Sequence, residues 1–117
     1  MYGGSLTEIV EEGFKTYSEE FCKYSLWATC KVLIKCHRQN IIYREVRSYN
    51  LVCKPNGEIK LTDFYYSIKL SQQQQTARDK VGTLCWMAPE LIKGRDAYDF
   101  KIDSWSLGIF ALELADG

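Results

Sequence analysis

Apolar residues recur at helical spacing between about Ser18 and His37, which predicts a long helix with one buried face. The residues on that face are Cys22, Leu26, Cys30 and Leu33. Acidic residues stand at the start of this segment and basic residues at its end, as the helix dipole favours. This charge order supports a helix over a strand.

A second helix is expected from about Ile102 to Ala115, where the segment is apolar nearly all round. Its large apolar residues are Trp105, Leu107, Ile109, Phe110, Leu112 and Leu114. A helix without a polar face is typical of a buried position, so we expect this helix to be buried.

A capping box predicts a short helix near the N-terminus. In Ser5-Leu-Thr-Glu8, the serine hydroxyl can accept from a first-turn amide while Glu8 reaches back to the cap. The helix should run to about Glu12 and stop at Gly13.

A polar loop and one more short helix are expected before the apolar helix. Ser67 to Lys80 contains consecutive glutamines and shows no period, so it is interpreted as a mobile surface loop. Pro89 at a first helical turn predicts a helix to about Lys93, with Gly94 ending it.

The strand signals are short and lie in the middle of the chain. Asn40 to Tyr43 is β-branched, and Leu51–Cys53 and Ile59–Leu61 alternate on either side of Pro55-Asn-Gly57, which is a hairpin turn signal. The fold class is therefore α+β, mainly helical with short β-hairpins.

Composition narrows the functional classes. A chain of 117 residues can bury one modest core, and 46% hydrophobic with 26% charged residues describes an ordinary soluble globular protein. Equal numbers of acidic and basic residues provide no overall field for nucleic acid, and no apolar stretch approaches the ~20 residues that span a bilayer. Neither nucleic acid nor a membrane is expected as a partner, and the oligomeric state stays open.

The cysteines are odd in number and contain no C-x-x-C pair, which argues against a disulfide framework and against a zinc site. They are Cys22, Cys30, Cys36, Cys53 and Cys85. We interpret them as small buried hydrophobes in a reducing compartment, and the N-terminus shows no signal-peptide pattern. The expected location is the cytoplasm or the nucleus.

The candidate chemistry is carried by Glu45, Asn50 and Asp63. A carboxylate, an asparagine at a fixed spacing, a hairpin and then Asp63-Phe64 is how protein kinases arrange phosphoryl transfer. One carboxylate orients the substrate hydroxyl, while the amide oxygen and the second carboxylate supply hard ligands for Mg²⁺ on the triphosphate.

Two downstream stretches extend this resemblance. Val81–Glu90 is similar to the substrate-binding loop of protein kinases, and Asp103–Ile109 is similar to their central helix. The chain resembles a serine/threonine protein kinase of the Ste group, PAK-type (p21-activated) branch, from Gly3-Gly4-Ser5-Leu6 to Gly117. The resemblance implies a partial kinase domain over residues 1–117, taken from the large lobe, and implies Mg²⁺ and ATP as cofactors with a protein as substrate.

The resemblance also assigns roles to single residues. Glu45 and Arg47 take the places of the catalytic aspartate and lysine, and Asn50 and Asp63 take those of the metal and nucleotide ligands. The activation and substrate loops contribute Arg44, Asp79, Thr83 and Glu90. Asp103 would hold the backbone of the catalytic loop, although from the sequence alone it also fits a helix-dipole partner.

Several departures from the family pattern predict impaired catalysis. Tyr43-Arg44-Glu45 replaces His-Arg-Asp, which moves the carboxylate outward by one methylene, and Tyr65 replaces a glycine that can adopt positive φ. The chain also shows no Gly-rich loop, no strand lysine and no helices after the central one, so we expect the small lobe to be absent. Glu90, whose usual partner lies in a later helix, is expected to be unpaired.

Three alternatives remain open for the function. The chain could be a working kinase with an incomplete gene model, a non-catalytic binding module that competes for kinase substrates or regulators, or a degenerate product.

Asp79 has two interpretations. In PAK-type kinases its place is held by a threonine whose phosphorylation orders the activation loop by pairing with the arginine that corresponds to Arg44. A carboxylate there could pair with Arg44 and order the loop in part. Alternatively, Asp79 is a solvated surface charge beside Arg78 and Lys80.

Overall fold

The computed structural model describes residues 4–11, 17–94 and 96–116. In this part of the chain, the helices are α1 (Leu6–Glu11), α2 (Glu19–Arg38), α3 (Pro89–Lys93) and α4 (Lys101–Asp116). The strands are β1 (Ile41–Ile42), β2 (Leu51–Cys53), β3 (Ile59–Leu61) and β4 (Ile68–Lys69). Two 3₁₀ turns, Ser48–Asn50 and Leu84–Trp86, complete the order. The predicted α+β class is confirmed.

The capping box of α1 forms as predicted. The amide of Ser5 donates to Glu8 Oε2 at 2.9 Å, and the amide of Glu8 donates to Ser5 Oγ at 3.3 Å. The predicted end of this helix, at Glu12 and Gly13, lies outside the described residues.

The short helix α3 also matches its prediction. It begins at Pro89, and Gly94 ends it in the left-handed conformation with φ 62°. Glycine adopts this conformation without steric cost, which explains why the helix stops there.

Helix α2 forms where the sequence predicts it, but its buried face is rotated. Ser18 caps the helix by accepting from the amide of Phe21 at 3.2 Å. The buried residues are Ser25, Thr29, Leu33 and Cys36, whereas the predicted Cys22, Leu26 and Cys30 are only half-buried. Thr29 Oγ1 donates to the Ser25 carbonyl at 2.7 Å, which allows a polar residue to face the core.

Helix α4 packs against α2 and the two 3₁₀ turns through one face, so the expected burial holds for that face only. The buried residues of α4 are Ile102, Asp103, Ser106, Phe110 and Leu114. On the other side, Trp105 is 47% exposed and Leu112 is 65% exposed. Uniform apolarity in the sequence does not indicate which face of the helix its neighbours cover.

The predicted hairpin is present. Strands β2 and β3 pair antiparallel, with Leu51 opposite Leu61, and Gly57 turns the chain with φ 85°. Leu51, Leu61 and Phe110 belong to one core cluster, which joins the hairpin to α2 and α4.

The polar segment 67–80 is more structured than predicted. Its residues Ile68–Lys69 form β4, which pairs antiparallel with β1, and the amide of Leu70 donates to the Asn40 carbonyl at 2.7 Å. Ala77, only 1% exposed, exchanges two backbone hydrogen bonds of 2.9 Å with Tyr98. The expectation of a loop without structure is therefore wrong at β4 and at Ala77, because isolated apolar residues in a polar segment produce no period.

The five cysteines are all free thiols. Only Cys36 is buried, and burial is the main reason that its pKa is raised. Cys85 is exposed, so the prediction that all five are buried is wrong. Within the described ranges, no helix combines the length and apolarity needed to cross a membrane.

Candidate active site

The side chain of Asp103, in the first turn of α4, organises the segment that carries the candidate site. It is 0% exposed. Its Oδ2 accepts from the amide of Tyr43 at 2.9 Å, and its Oδ1 accepts from the amide of Arg44 at 2.8 Å. Hydrogen bonds to a buried carboxylate are strong, so α4 fixes the backbone at the start of the catalytic-type loop.

His37 adds a third contact to the same carboxylate. Its Nε2 lies 2.8 Å from Asp103 Oδ2, and its ring packs 5.0 Å from that of Phe100. The sequence pattern did not predict this contact, although His37 is the single histidine and stands in the last turn of α2. The end of α2, the start of α4 and the loop therefore meet at Asp103.

Tyr43 fills the core beneath the loop. It is 0% exposed, its hydroxyl donates to the Thr62 carbonyl, and its ring meets that of Phe64 edge to face at 5.1 Å. Burial raises the pKa of Tyr43, with smaller contributions from carboxylates that include Asp63, so the hydroxyl remains a donor at neutral pH.

Arg44 adopts an unusual backbone conformation. Its φ is 70°, a left-handed value that non-glycine residues rarely adopt and that stores strain. The hydrogen bond from the Arg44 amide to Asp103 holds this conformation. The guanidinium points inward, and the side chain is 6% exposed. Its Nε donates to the Tyr66 carbonyl at 2.5 Å.

Arg44 also contacts the activation segment. Its Nη1 lies 2.8 Å from Asp79 Oδ1 and 2.9 Å from the hydroxyl of Tyr98. The ion pair that the sequence suggested is therefore present, although the Asp79 side chain is 55% exposed. The alternative of an unpaired surface charge does not describe this geometry.

Tyr98 completes this contact, and nothing in the sequence pointed to it. Its hydroxyl donates to the Asp79 carbonyl at 2.5 Å, and its backbone pairs with Ala77. Burial raises the pKa of Tyr98, and the nearby guanidinium of Arg44 opposes that rise. Arg44 therefore holds the side chain of Asp79, and Tyr98 holds its backbone carbonyl.

Glu45, the candidate catalytic carboxylate, is enclosed. It is 7% exposed, and its Oε1 accepts from the hydroxyl of Thr83. Its Oε2 is buried without a hydrogen-bond partner among the described residues. Gly82, with φ 119°, closes this side: a Cβ there would lie 3.6 Å from Glu45 Oε2.

Arg47 lies beside Glu45 but is held by aromatic rings. Its Nε is 3.4 Å from Glu45 Oε1, without hydrogen-bond geometry to any described atom. Its guanidinium carbon lies 4.9 Å from the ring centre of Tyr49 and 5.5 Å from that of Trp86. This contact restricts the guanidinium more than a lysine in the same place would be restricted.

Asn50 and Asp63 are brought together by the hairpin. Asn50 is 2% exposed, and its Nδ2 donates to the Glu45 carbonyl at 2.8 Å. The amide of Thr62 donates to the Asn50 carbonyl at 2.8 Å, which places the next residue, Asp63, beside the same loop. Positive φ in this segment falls on Asp63, at 55°, and not on Tyr65.

The oxygen atoms available at this point suit Mg²⁺. The Nδ2 of Asn50 is engaged, so its amide oxygen is the atom that could coordinate a cation, and the carboxylate of Asp63 is exposed. Mg²⁺ in phosphoryl-transfer sites takes one or two protein oxygens together with phosphate and water.

The substrate-type loop is anchored to α4 by two residues, Ser106 and Glu113, that the sequence pattern did not predict. Ser106 Oγ donates to the Trp86 carbonyl at 2.6 Å, and Trp86 Nε1 donates to Glu113 Oε2 at 3.2 Å. Glu113 also accepts from the amide of Ser48 at 3.2 Å. Ser106 and Glu113 are polar residues within an apolar helix, and this pattern could have identified them from the sequence. Glu90 is exposed, and no ion pair within the described ranges includes it.

Comparison with known proteins agrees with this geometry. The family described as "Protein kinase domain" matches residues 1–117, and the chain belongs to this family. Its relatives include serine/threonine-protein kinase CLA4 of Candida albicans, 40% identical over all of this chain and 12% of the relative. Others are pakA and pakC of Dictyostelium discoideum, at 41% and 43% identity, covering 10% and 24% of those proteins.

These relatives are PAK-type kinases, so the predicted PAK-like identity is confirmed. The fold corresponds to part of the large lobe of a kinase. The chain spans between 10% and 24% of the length of these three relatives.

Removal of the Asp79 carboxylate tests the contact with Arg44. In Asp79→Ala the buried guanidinium loses its anionic partner, which should cost on the order of 1 kcal/mol, since Asp79 is half-exposed. We expect limited subtilisin digestion around Gln72 to Gln75 to become about fivefold faster. Lys80→Ala, a charge change in the same exposed segment, is the matched control. Equal digestion of the wild-type chain and Asp79→Ala would show that the pair does not order this segment.

Proposed function

We propose that residues 1–117 form a partial serine/threonine kinase domain that is impaired as a phosphotransferase when it acts alone. The reaction of the family is transfer of the terminal phosphoryl group of ATP to a protein hydroxyl. The observation that carries the proposal is the enclosure of the Glu45 carboxylate.

A catalytic carboxylate must come within hydrogen-bond distance of the hydroxyl that it orients. In Glu45 one oxygen accepts from Thr83, and the other is buried beside Gly82. Glutamate is also one methylene longer than the aspartate usual in the family. A displacement of ~1 Å can cost about a hundredfold in rate, so a substrate hydroxyl would be poorly oriented here.

Asn50 and Asp63 are the residues that would hold Mg²⁺ and, through it, the nucleotide phosphates. When bound, the metal would neutralise negative charge on the transferring group. Asn50 is buried and oriented by the Glu45 carbonyl, whereas Asp63 is exposed. Because residues 1–117 contain no G-x-G-x-x-G loop to hold the phosphates and Asp63 is exposed, we infer that this chain alone binds MgATP weakly.

The substrate or regulator would be a protein that docks against the loop from Gly82 to Glu90. Thr83 would keep this loop against Glu45, and Asp103 would maintain the loop that carries Glu45. Five free thiols, one of them exposed, support action in a reducing compartment, the cytoplasm or the nucleus.

A second candidate is a non-catalytic module that competes for kinase substrates or regulators, in the manner of a pseudokinase. It is supported by the anchored substrate loop: Ser106 and Glu113 hold Trp86, and Asp79 pairs with Arg44 without a phosphate. The two candidates differ in their requirement for nucleotide, because competition for a protein needs no MgATP.

The chain alone should not transfer phosphate. With MgATP and myelin basic protein as a generic basic substrate, we expect labelling no higher than that of Asp63→Ala, because Glu45 is enclosed and Asp63 is the exposed metal ligand. An active PAK-type kinase serves as the positive control. Label transfer by the wild-type chain that Asp63→Ala abolishes would contradict the proposal.

MgATP should produce no resolvable shift in melting temperature. A ligand at ~1 mM with a Kd near 10 µM would stabilise the folded state by about 2.7 kcal/mol. Two metal ligands without a Gly-rich phosphate-binding loop in residues 1–117 should not support that affinity. A shift of several degrees in the wild-type chain, absent from Asp63→Ala, would show an intact nucleotide site.

A further inference from the structure

The outer face of α2 carries a surface that the candidate active site does not use. We define the α2 stripe as Tyr24, Trp27, Lys31, Ile34 and Arg38. Its apolar members are 40%, 56% and 48% exposed for Tyr24, Trp27 and Ile34. The stripe lies on the side of the helix opposite the buried Ser25, Thr29 and Cys36, so packing of the described core does not explain it.

The spacing of the α2 stripe is that of a helix–helix seam. Its members follow each other at alternating intervals of three and four residues. This interval keeps side chains in one line on a helix and is typical of the contact face in coiled coils. From Tyr24 to Arg38 the line is about 21 Å long at 1.5 Å per residue.

Between Tyr24 and Arg38 the charges on this face are basic, although the chain as a whole has a formal net charge of 0 and the exposed Glu20 lies one turn before the stripe on the same face. Lys31 and Arg38 lie within the stripe, and Lys35 flanks it. The helix dipole accounts for basic residues in the last turn, but not for Lys31 or for exposed Trp27 and Ile34. The Nζ atom of Lys31 lies 4.3 Å from the centre of the Trp27 ring, which joins the cationic and aromatic parts of the stripe.

We propose that the α2 stripe docks an acidic amphipathic helix of a partner protein. Apolar residues of the partner would cover Trp27 and Ile34, and its carboxylates would face Lys31 and Arg38. A second copy paired in parallel would place Lys31 against Lys31. A second copy paired antiparallel would offer only Glu20, opposite Arg38, and no carboxylate for Lys31 or Lys35. An acidic helix can meet all three basic residues, so charge complementarity favours it over a second copy.

The shape of the face also favours a helix over the other anionic partners. A single helix presents a convex ridge, whereas single-stranded nucleic acid is held in a positively charged groove. An anionic membrane would need apolar insertion over a broad face, and the stripe offers one line of three apolar side chains.

A designed peptide tests the proposal on the full 117-residue chain. The probe is a fluorescent three-heptad peptide with Leu at the d positions and Glu at a, e and g, and its partner probe has Lys for each Glu. Anisotropy should show saturable binding of the acidic peptide and affinity at least about tenfold weaker for the basic one.

Substitutions within the stripe should alter this binding without altering the fold, since all of them are at exposed positions. Trp27→Ala and Ile34→Ser should each weaken binding by about tenfold. The double variant Lys31→Glu with Arg38→Glu should reverse the preference, so that the basic peptide binds more tightly. Tyr65→Ser is the matched control, because Tyr65 is an aromatic residue outside the α2 stripe and is 82% exposed. Circular dichroism checks the fold of each variant.

Any of several results would overturn the proposal. One is no saturable binding of the acidic peptide, and another is equal binding of both peptides. A third is binding that survives Trp27→Ala and the charge reversal. Tighter binding to oligo-dT or to phosphatidylserine vesicles than to the acidic peptide would assign the stripe to nucleic acid or to a membrane. Self-association that Ile34→Ser abolishes would assign it to a second copy.

Discussion

The buried carboxylate of Asp103 is the interaction on which the candidate site depends. An ionised group without exposure to water is costly unless its oxygens are fully hydrogen-bonded. Here the amides of Tyr43 and Arg44 donate to separate oxygens, and His37 contacts one of them. The carboxylate oxygens therefore have hydrogen-bond partners. Through them, the end of α2 and the start of α4 are both linked to the loop that begins at Tyr43.

These hydrogen bonds to Asp103 determine where the side chain of Arg44 points. Asp103 holds its backbone at a φ that arginine would otherwise avoid, and the side chain then points inward to Tyr66, Tyr98 and Asp79. A strained conformation persists when its surroundings define it, and such strain is common at functional sites. The ordering of the segment at Asp79 thus follows from a contact on the opposite side of the loop.

Features that depend on neighbours in the sequence could be predicted. The capping box at Ser5, the hairpin and the end of α3 are local, and the order of the kinase motifs identified the family. The pairing of Asp79 with Arg44 came from the place of each residue in those motifs. Tyr98, His37 and Glu113 were missed because their partners are distant in sequence. The buried face of α2 was misplaced because polar residues face the core there: the Thr29 hydroxyl bonds to its own helix, and Ser25 is small enough to be buried.

Amide hydrogen exchange in Asp103→Asn tests the central claim most directly. The asparagine side chain has one acceptor oxygen and an NH2 donor in place of the other, so it cannot accept from both Tyr43 and Arg44, and losing a charged hydrogen bond costs about 1.5–3 kcal/mol. We therefore expect exchange at the Tyr43 or Arg44 amide that loses its acceptor to rise by about tenfold to a hundredfold, with the amides of β2 and β3 as internal reference. Unchanged protection of Tyr43 and Arg44 in the variant would contradict the account.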